Sequence, residues 1–368
     1  MTRTKVDKPF LIVASILIIF GFLIFSSASL GLLVRGSANY SNVAFSQTVL
    51  GLFLGFIAFL FALKFDYKIW KKYAFYLMLG AIILNVLLYV PGLGFEHNGA
   101  KRWLMLGKIS FQPAEFLKFA IIIYFAAWVG GVKNRVKDFK YGFLPLIILI
   151  GIASLLLLFQ PDTDNLVMIV VALSAMFLSA GGQWKYILTI FLVGLMALTV
   201  LISVRPYLKE RVFTLFNPQI DSQGAGYQLQ QSLIAVGSGG FTGKGFGQSV
   251  QKFGFLPEPV GDSIFAVAAE EFGFLGAVGI ILLFVLFGTR GLKIASRVPD
   301  TFARLVVVGV VIMITVQAFV NIGGMLGVLP LSGITLPFVS HGGTSLFFTM
   351  LEVGIVLSIS RTQTKKRN

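Results

Sequence analysis

The chain has 368 residues, of which 57% are hydrophobic and only 12% charged, against about 25% charged in soluble domains. A globular fold of that make-up would leave too little polar surface to face water, so lipid is the solvent for most of the chain. The formal charge of +15 would suggest a nucleic-acid partner in a soluble protein, but the lysines and arginines fall between apolar runs, where they read as membrane topology, and no nucleic-acid role is expected. Cysteine is absent, which excludes disulfides, thiolate metal sites and a cysteine nucleophile.

In chain order, apolar runs of the roughly 20 residues that a membrane helix needs are predicted at about 10–30, 43–63, 73–92, 112–130, 143–160, 165–182, 186–204, 263–288, 304–326 and 335–360. The run from Phe10 to Leu30 is too long for a signal-peptide core and reads as the first membrane helix. The expected fold class is an all-α integral membrane protein of about ten transmembrane helices. It forms one polytopic domain over residues 1–368, with polar connections at about 94–111 and 205–262. No repeat or solenoid period is evident.

Lysine and arginine bias sets the orientation. Arg3, Lys5 and Lys8 precede the first helix. Lys64, Lys68, Lys71 and Lys72 mark the second connection, Lys133, Arg135, Lys137 and Lys140 the fourth, and Arg290, Lys293, Arg297 and Arg304 the eighth. Arg361, Lys365, Lys366 and Arg367 mark the tail, while the connections around Pro161 and Leu329 carry none. The alternation predicts that both termini are cytoplasmic and that both long polar connections lie outside. Lys101, Arg102 and Lys108 then lie outside against the rule, as do Arg205, Lys209, Arg211, Lys244 and Lys252. Long loops cross regardless of charge, but cations held in the short 94–110 stretch suit an anionic lipid headgroup such as a pyrophosphate.

Four segments carry candidate chemistry. Phe111-Gln-Pro-Ala-Glu115-Phe-Leu-Lys118 opens the fourth helix with proline in its first turn, and Glu115 and Lys118 are i,i+3 neighbours. They are either a purely structural ion pair or a paired anion and cation facing a polar cavity, because charge at membrane depth is expensive. The stretch from Gly224 to Gly247 is dense in glycine, which lets backbone amides approach a ligand or simply lets the loop flex. Leu256-Pro-Glu258-Pro-Val-Gly-Asp262 closes the long outer connection, with Glu270-Glu271 beyond it. Asp262 is an N-cap of the eighth helix, or a carboxylate whose pKa the apolar border raises and which then suits the deprotonation of a sugar hydroxyl. One residue can do both. Asn321-Ile-Gly-Gly, Leu329-Pro-Leu, Leu336-Pro-Phe and Ser340-His-Gly-Gly-Thr-Ser345 put glycine and proline at membrane depth, which implies broken helices that are buried in protein or line a cavity. His341 and His97 each lack a second histidine nearby and read as packing residues before ligands.

Taken in order, these motifs resemble the SEDS family (shape, elongation, division and sporulation), whose members include FtsW and RodA. The residues concerned are Asn98-Gly-Ala-Lys101-Arg102-Trp103, Gln112-Pro-Ala-Glu115 with Lys118, Gln160-Pro-Asp162, Tyr227-Gln with Gln231-Ser232, Gly237-Ser238-Gly-Gly, Leu256-Pro-Glu258 before Asp262, and the segment leading to Ser345. Each motif is modest; the ordered set is specific. Gly247-Gln-Ser-Val-Gln-Lys252 and the run Leu329-Pro-Leu-Ser-Gly-Ile-Thr-Leu-Pro337 look more like the FtsW branch, which serves division.

The resemblance implies a peptidoglycan glycosyltransferase in the bacterial cytoplasmic membrane. Its substrate would be lipid II, an undecaprenyl-pyrophosphate disaccharide-pentapeptide, and its partners a class B penicillin-binding transpeptidase, other division proteins and membrane lipid. It places the family's essential aspartate on Asp262, which would act as general base of an inverting displacement. Substrate contacts are expected from Lys101, Arg102, Glu115, Lys118, Gln231, Ser238, Lys244, Lys252, Glu258 and Ser340. No dedicated cofactor or metal cage is evident, although a divalent cation, Mg or Mn, could share the pyrophosphate charge. Three positions depart from the family pattern: Val260-Gly261 replaces the usual His-Thr, His341 the usual Tyr, and Asp164 a usual Gly. The alternatives are a flippase for the same lipid, which predicts charge near the bilayer midplane, and a non-catalytic division scaffold.

Overall fold

The structure is a computed structural model that describes residues 5–34, 37–97, 100–106, 109–217 and 224–363. Arg3, Asn98, Lys108, Lys365, Lys366 and Arg367 lie outside the described residues. The apolar runs fold as α1 (Lys8–Leu33), α2 (Tyr40–Lys64), α3 (Lys68–Leu87), α4 (Pro113–Val132), α5 (Phe139–Leu158), α6 (Thr163–Ser179), α7 (Trp184–Val204), α10 (Ile264–Ala295), α11 (Thr301–Met325) and α12 (Gly343–Ser360). Nine are long and apolar enough to cross a membrane, and α6, at 17 residues, is the tenth apolar helix. All ten predicted spans are therefore matched by helices.

The polar connections hold more structure than the sequence suggested. Residues 94–111 fold as an antiparallel meander of β1 (Gly94–His97), β2 (Ala100–Leu106) and β3 (Ile109–Phe111). Trp103 faces Phe95 across one ladder, and Leu104 faces Phe111 across the other. The 205–262 stretch contains α8 (Pro206–Phe216) and α9 (Ala225–Ser238).

The bundle has two distinct ends. At one, Asp7 caps α1 by accepting from Phe10 N at 3.1 Å, and receives both Arg290 Nε at 2.9 Å and Nη2 at 2.8 Å. The Asp7 amide donates to Ser360 Oγ, and Ser358 Oγ donates to Phe65 O, so the start of α1 and the ends of α2, α10 and α12 are tied together. At the other end gather the β-meander, the turn at 160–164, α8, α9 and the segment 327–342, as the contacts below show. The loops thus alternate between ends as the charge pattern requires. Inside, α11 and α12 are central, with 72% and 94% of their spans buried, whereas α7 has 6% buried and meets α8 at its margin.

Two membrane helices are broken, and both breaks differ from the predicted spans. The tenth helix starts at Gly343 and not near 335, because 327–342 runs without helix beneath the bundle's end. The α10 helix runs on to Ala295 but is interrupted at Gly273, whose φ of +66° and ψ of −164° only glycine adopts readily. The interruption frees peptide groups at membrane depth, and the glycine-rich loop takes them up. Lys244 N donates to Glu270 O and Gly245 N to Glu271 O, both at 3.0 Å, while Phe274 N and Leu275 N donate to Gly240 O and Phe241 O. The glycine density lets one backbone lie against another.

The carboxylates of Glu270 and Glu271 fasten the same loop. Glu270 pairs with Lys244 at 2.6 Å and accepts from Ser249 Oγ, Val250 N, Gln251 N and Ser238 Oγ. Glu271 pairs at 2.7 Å with Lys252, whose ammonium also donates to Ser27 Oγ on α1 and to Gly247 O. Lys252 and Glu271 are both wholly buried. Lys252→Ala would leave Glu271 buried and unpaired, which costs about 3–5 kcal/mol. A steep fall in the unfolding temperature of the detergent-solubilised protein is expected, with much of it recovered when Lys252→Met is combined with Glu271→Gln.

Candidate functional site

Asp262 stands two residues before α10, at the end of the bundle that holds the meander. The turn before it is wound on Glu258 O, which accepts from Gly261 N at 3.0 Å and Ser263 N at 3.3 Å. Glu258 itself is exposed and has φ +44°, in the left-handed region that costs a non-glycine residue energy. From the other side Asn321 Nδ2, on α11, donates to Asp262 O at 2.8 Å and to Ile334 O at 2.8 Å. The Asp262 backbone is thus held by a loop, a membrane helix and the 327–342 segment at once. Ser263, not Asp262, occupies the N-cap position, and no side chain caps that end.

The carboxylate has few partners. Its Oδ1 is buried and unbonded. Gln228 of α9, which reaches Ser263 Oγ at 2.9 Å, hydrogen-bonds the Asp262 side chain. Burial raises the Asp262 pKa to about 7, and the Glu258 charge adds to the rise. Gln228 and the more distant Arg211 charge oppose it.

The helix-four pair lies deeper. Lys118 Nζ sits 2.8 Å from Glu115 Oε1, with both side chains under 10% exposed, and donates to Gln317 Oε1 at 2.9 Å. Glu352, buried on α12, faces the same two charges. Gln317 Nε2 donates onward to Thr335 O at 2.9 Å. Gln317 and Asn321 are one turn apart on α11 and hold neighbouring carbonyls, Thr335 O and Ile334 O. The Glu115–Lys118 pair and Asp262 are therefore joined through a single face of α11.

Several expected substrate contacts occupy other positions. Arg102 donates through Nε to Gln160 O at 3.2 Å and through Nη2 to Pro161 O. Gln160 is in turn bound to Asn85, which donates to Ala81 O and Pro113 O. Arg102 therefore ties the meander to α3 and the 160–161 turn. Lys101, beside it on β2, is exposed. Lys252 is sealed in the loop clamp, Lys244 is paired with Glu270, and Ser238 Oγ donates to Ala235 O and Glu270. Ser340 is buried, donates to Gly261 O at 2.7 Å and accepts from Leu336 N, so it supports the Asp262 turn from beneath. Gln231 is half-buried on α9, and it is Gln228, one turn earlier, that meets Asp262.

The three departures also find places. His341 N donates to Val260 O at 2.7 Å, next to the Ser340–Gly261 bond, so two of the altered positions touch each other. The His341 ring stacks on Phe25, its Nε2 has no partner, and burial lowers its pKa to about 4, which keeps it neutral. Asp164 takes Arg211 Nη1 at 2.9 Å and Gly333 N at 3.3 Å, and fastens α8 over α6. Residues absent from the expected contacts are Gln228, Gln317, Asn321, Glu352 and Arg211, although Gln228 and Asn321 fall in named motifs and Arg211 among the outer cations. Of these, Gln317, Asn321 and Glu352 carried one available signal, a polar side chain within an apolar run.

A ten-helix membrane bundle with one carboxylate poised where a broken helix meets a polar outer layer defines a multi-pass membrane protein with a site at one membrane face. Residues 7–365 match the FTSW_RODA_SPOVE family model, described as cell cycle protein. The chain is 36% identical to the stage V sporulation protein E of Bacillus subtilis (strain 168) over 361 residues, 98% of each chain. It is 37% identical to a probable peptidoglycan glycosyltransferase FtsW of Geobacter sp. (strain M18), covering 96% of each. Its fold matches a chain solved in work on polymerization and crosslinking by a peptidoglycan synthase complex, with TM-score 0.75 and 28% identity over 92% of this chain and 96% of that one. It also matches the Thermus thermophilus rod shape determining protein RodA, with TM-score 0.70 and 25% identity over 98% of both. The chain belongs to the FtsW, RodA and SpoVE family, the SEDS proteins that its motifs resemble.

A carboxyl whose pKa is raised in the folded state holds a proton that the unfolded chain releases between about pH 4 and 7. Its contribution to stability is full below pH 4 and lost as the pH rises through 7. Asp262→Asn should therefore raise the unfolding temperature more at pH 8 than at pH 5. Equal shifts in thermal scans at the two pH values would show that burial does not hold the proton on.

Proposed function

We propose that the chain is a peptidoglycan glycosyltransferase that polymerises lipid II at the outer face of the bacterial cytoplasmic membrane, with Asp262 as general base. The observation that carries this reading is the Asp262 carboxylate: rigidly held by its backbone, under-bonded at Oδ1, and with a pKa near the working pH of a base. The lysine and arginine bias supports cytoplasmic termini and an external site.

In the proposed reaction the acceptor sugar hydroxyl of one lipid-linked chain attacks the anomeric carbon of another. The new glycosidic C–O bond forms as the bond to pyrophosphate breaks, the pyrophosphate leaves on its lipid, and the hydroxyl proton passes to Asp262. An α-linked donor and a β-linked product make this a single inverting displacement with one base and no covalent intermediate. Arg211, whose charge reaches Asp262, and the exposed Lys101 would meet the departing charge. Lys118 and Glu115 act from behind, through Gln317, to hold the segment 334–335 on which Asn321 and Asp262 rest. Among the described residues no group of three or more His, Asp or Glu gathers that could cage a metal. The residues therefore do not fit a dedicated metal site, and no step is routed through one. The FtsW-like motifs support a role in division, and a class B penicillin-binding transpeptidase is the proposed partner.

The buried Glu115, Lys118 and Glu352 are the feature that favours a lipid transporter instead. The two readings separate on Asp262. Purified protein given lipid II and its transpeptidase partner should make glycan strands, and Asp262→Ala should abolish them without lowering the unfolding temperature. Strands from the Ala variant at near-normal rate would refute the base, while lipid translocation without strands would favour the transporter. The rate should rise with pH through about 7 as the base ionises. Glu258→Gln, by removing a charge that raises the Asp262 pKa, should move that rise to lower pH, as read from the pH–rate profile.

A further inference from the structure

One cavity shares no lining residue with the Asp262 site. It is an apolar slot of about 270 Å³, open to the side of the bundle between α3, α4 and α5, and lined by residues that include Phe75, Met78, Ile82, Trp128, Ile148 and Ile152. Asp262, Glu115 and Lys118 take no part in it. Its lining spans about two turns of α3, from Phe75 to Ile82, and about two turns of α5, from Pro145 to Ile152, both membrane helices.

The end of the slot nearer the termini is basic. Lys71 and Lys72 stand one turn before Phe75 on α3, and the Lys72 ammonium lies over the Tyr73 ring. Trp128 Nε1 donates to Tyr141 O at 3.0 Å and closes the slot between α4 and α5. The Arg135 guanidinium lies 3.5 Å from the centre of the Tyr141 ring, and Lys140 lies over the same ring. The acid on this rim, Asp138, sits 3.8 Å from Arg135 in a pair that is more than half exposed. Topology alone would explain basic residues at this end. It does not explain why they ring the mouth of a slot, nor why an interfacial tryptophan and tyrosine are bonded to each other at that mouth.

We propose that this slot binds one anionic phospholipid of the leaflet on the terminal side, with an acyl chain between α3, α4 and α5 and its phosphate met by Lys72, Lys140 and Arg135, while the Lys71 ammonium lies over Phe302. The apolar lining supplies shape but no preference among lipids, since a neutral lipid has the same tails. The preference comes from the basic rim, where each cation adds about a fivefold factor for an anionic headgroup. The site is separate from the polymerisation site and does not rest on that assignment. It gives the bundle a lipid wedge that holds α5 against α3, two helices that meet along this face.

The test is native mass spectrometry of the full chain in detergent, with phosphatidylglycerol, phosphatidylcholine or inorganic phosphate added. Phosphatidylglycerol should be retained at least fivefold over phosphatidylcholine. Lys72→Gln with Lys140→Gln should sharply reduce that preference while leaving weak retention of both lipids. Ile148→Trp, which fills the slot from a lipid-facing position, should reduce retention of both lipids with the charges intact. Equal retention of the two lipids by the wild type, or an unchanged preference in the Gln double variant, would overturn the proposal. Displacement of the lipid by inorganic phosphate alone would do so too, since that would make the rim a simple anion patch with no role for the slot. Thermal scans of each variant confirm that the fold survives.

Discussion

Everything at the Asp262 end of this bundle follows from one constraint: peptide groups freed inside a membrane must find partners within the protein. Helix α10 breaks at Gly273, and the loop of residues 238–252 supplies the missing partners with its own backbone. Side chains then lock the match, Glu270 on Lys244 and Glu271 on Lys252. The loop is consequently not a flap over the site. It is part of the wall that fixes the start of α10, and with it the position of Asp262.

The second break obeys the same constraint with different means. Residues 327–342 cross beneath the outer layer without helix, and their carbonyls at Ile334 and Thr335 are taken by Asn321 and Gln317 of α11. Gln47, wholly buried on α2, donates to Ser340 O and accepts from Gly342 N. Phe338 is held there at φ +68°, a conformation that a bulky residue adopts only when its surroundings dictate it. The polar residues of the apolar helices thus serve mainly as backbone partners for broken segments. The site inherits its rigidity from them, and a base of raised pKa needs that rigidity to keep water and counter-charges away.

The departures at 164, 260–261 and 341 look unrelated along the chain, but two of them meet. His341 N bonds Val260 O, so the change from His-Thr at 260–261 and the change to His at 341 fall on one contact. The imidazole packs on Phe25, its Nε2 has no partner, and it stays neutral. Asp164 makes a different adjustment, adding an ion pair that binds α8 to the bundle through Arg211.

Ten membrane helices, their approximate spans and their alternating ends were legible in the sequence, because hydropathy and the placement of lysine and arginine are local properties that lipid and translocation read directly. The burial of a carboxylate at Asp262 was legible too, since a carboxylate at the head of an apolar run borders the low-dielectric region. What the sequence did not disclose was the break in α10 and the use of the glycine-rich loop, for a glycine in a helix and a glycine in a loop carry no mark of meeting each other. Nor did it separate the cations that face outward from those spent inside: Arg102 on two carbonyls, Lys252 on Glu271. Charge bias counts a lysine the same whether it meets lipid, substrate or a buried glutamate. Only the tertiary structure, by fixing which oxygen lies within 3 Å of each ammonium, decides among them.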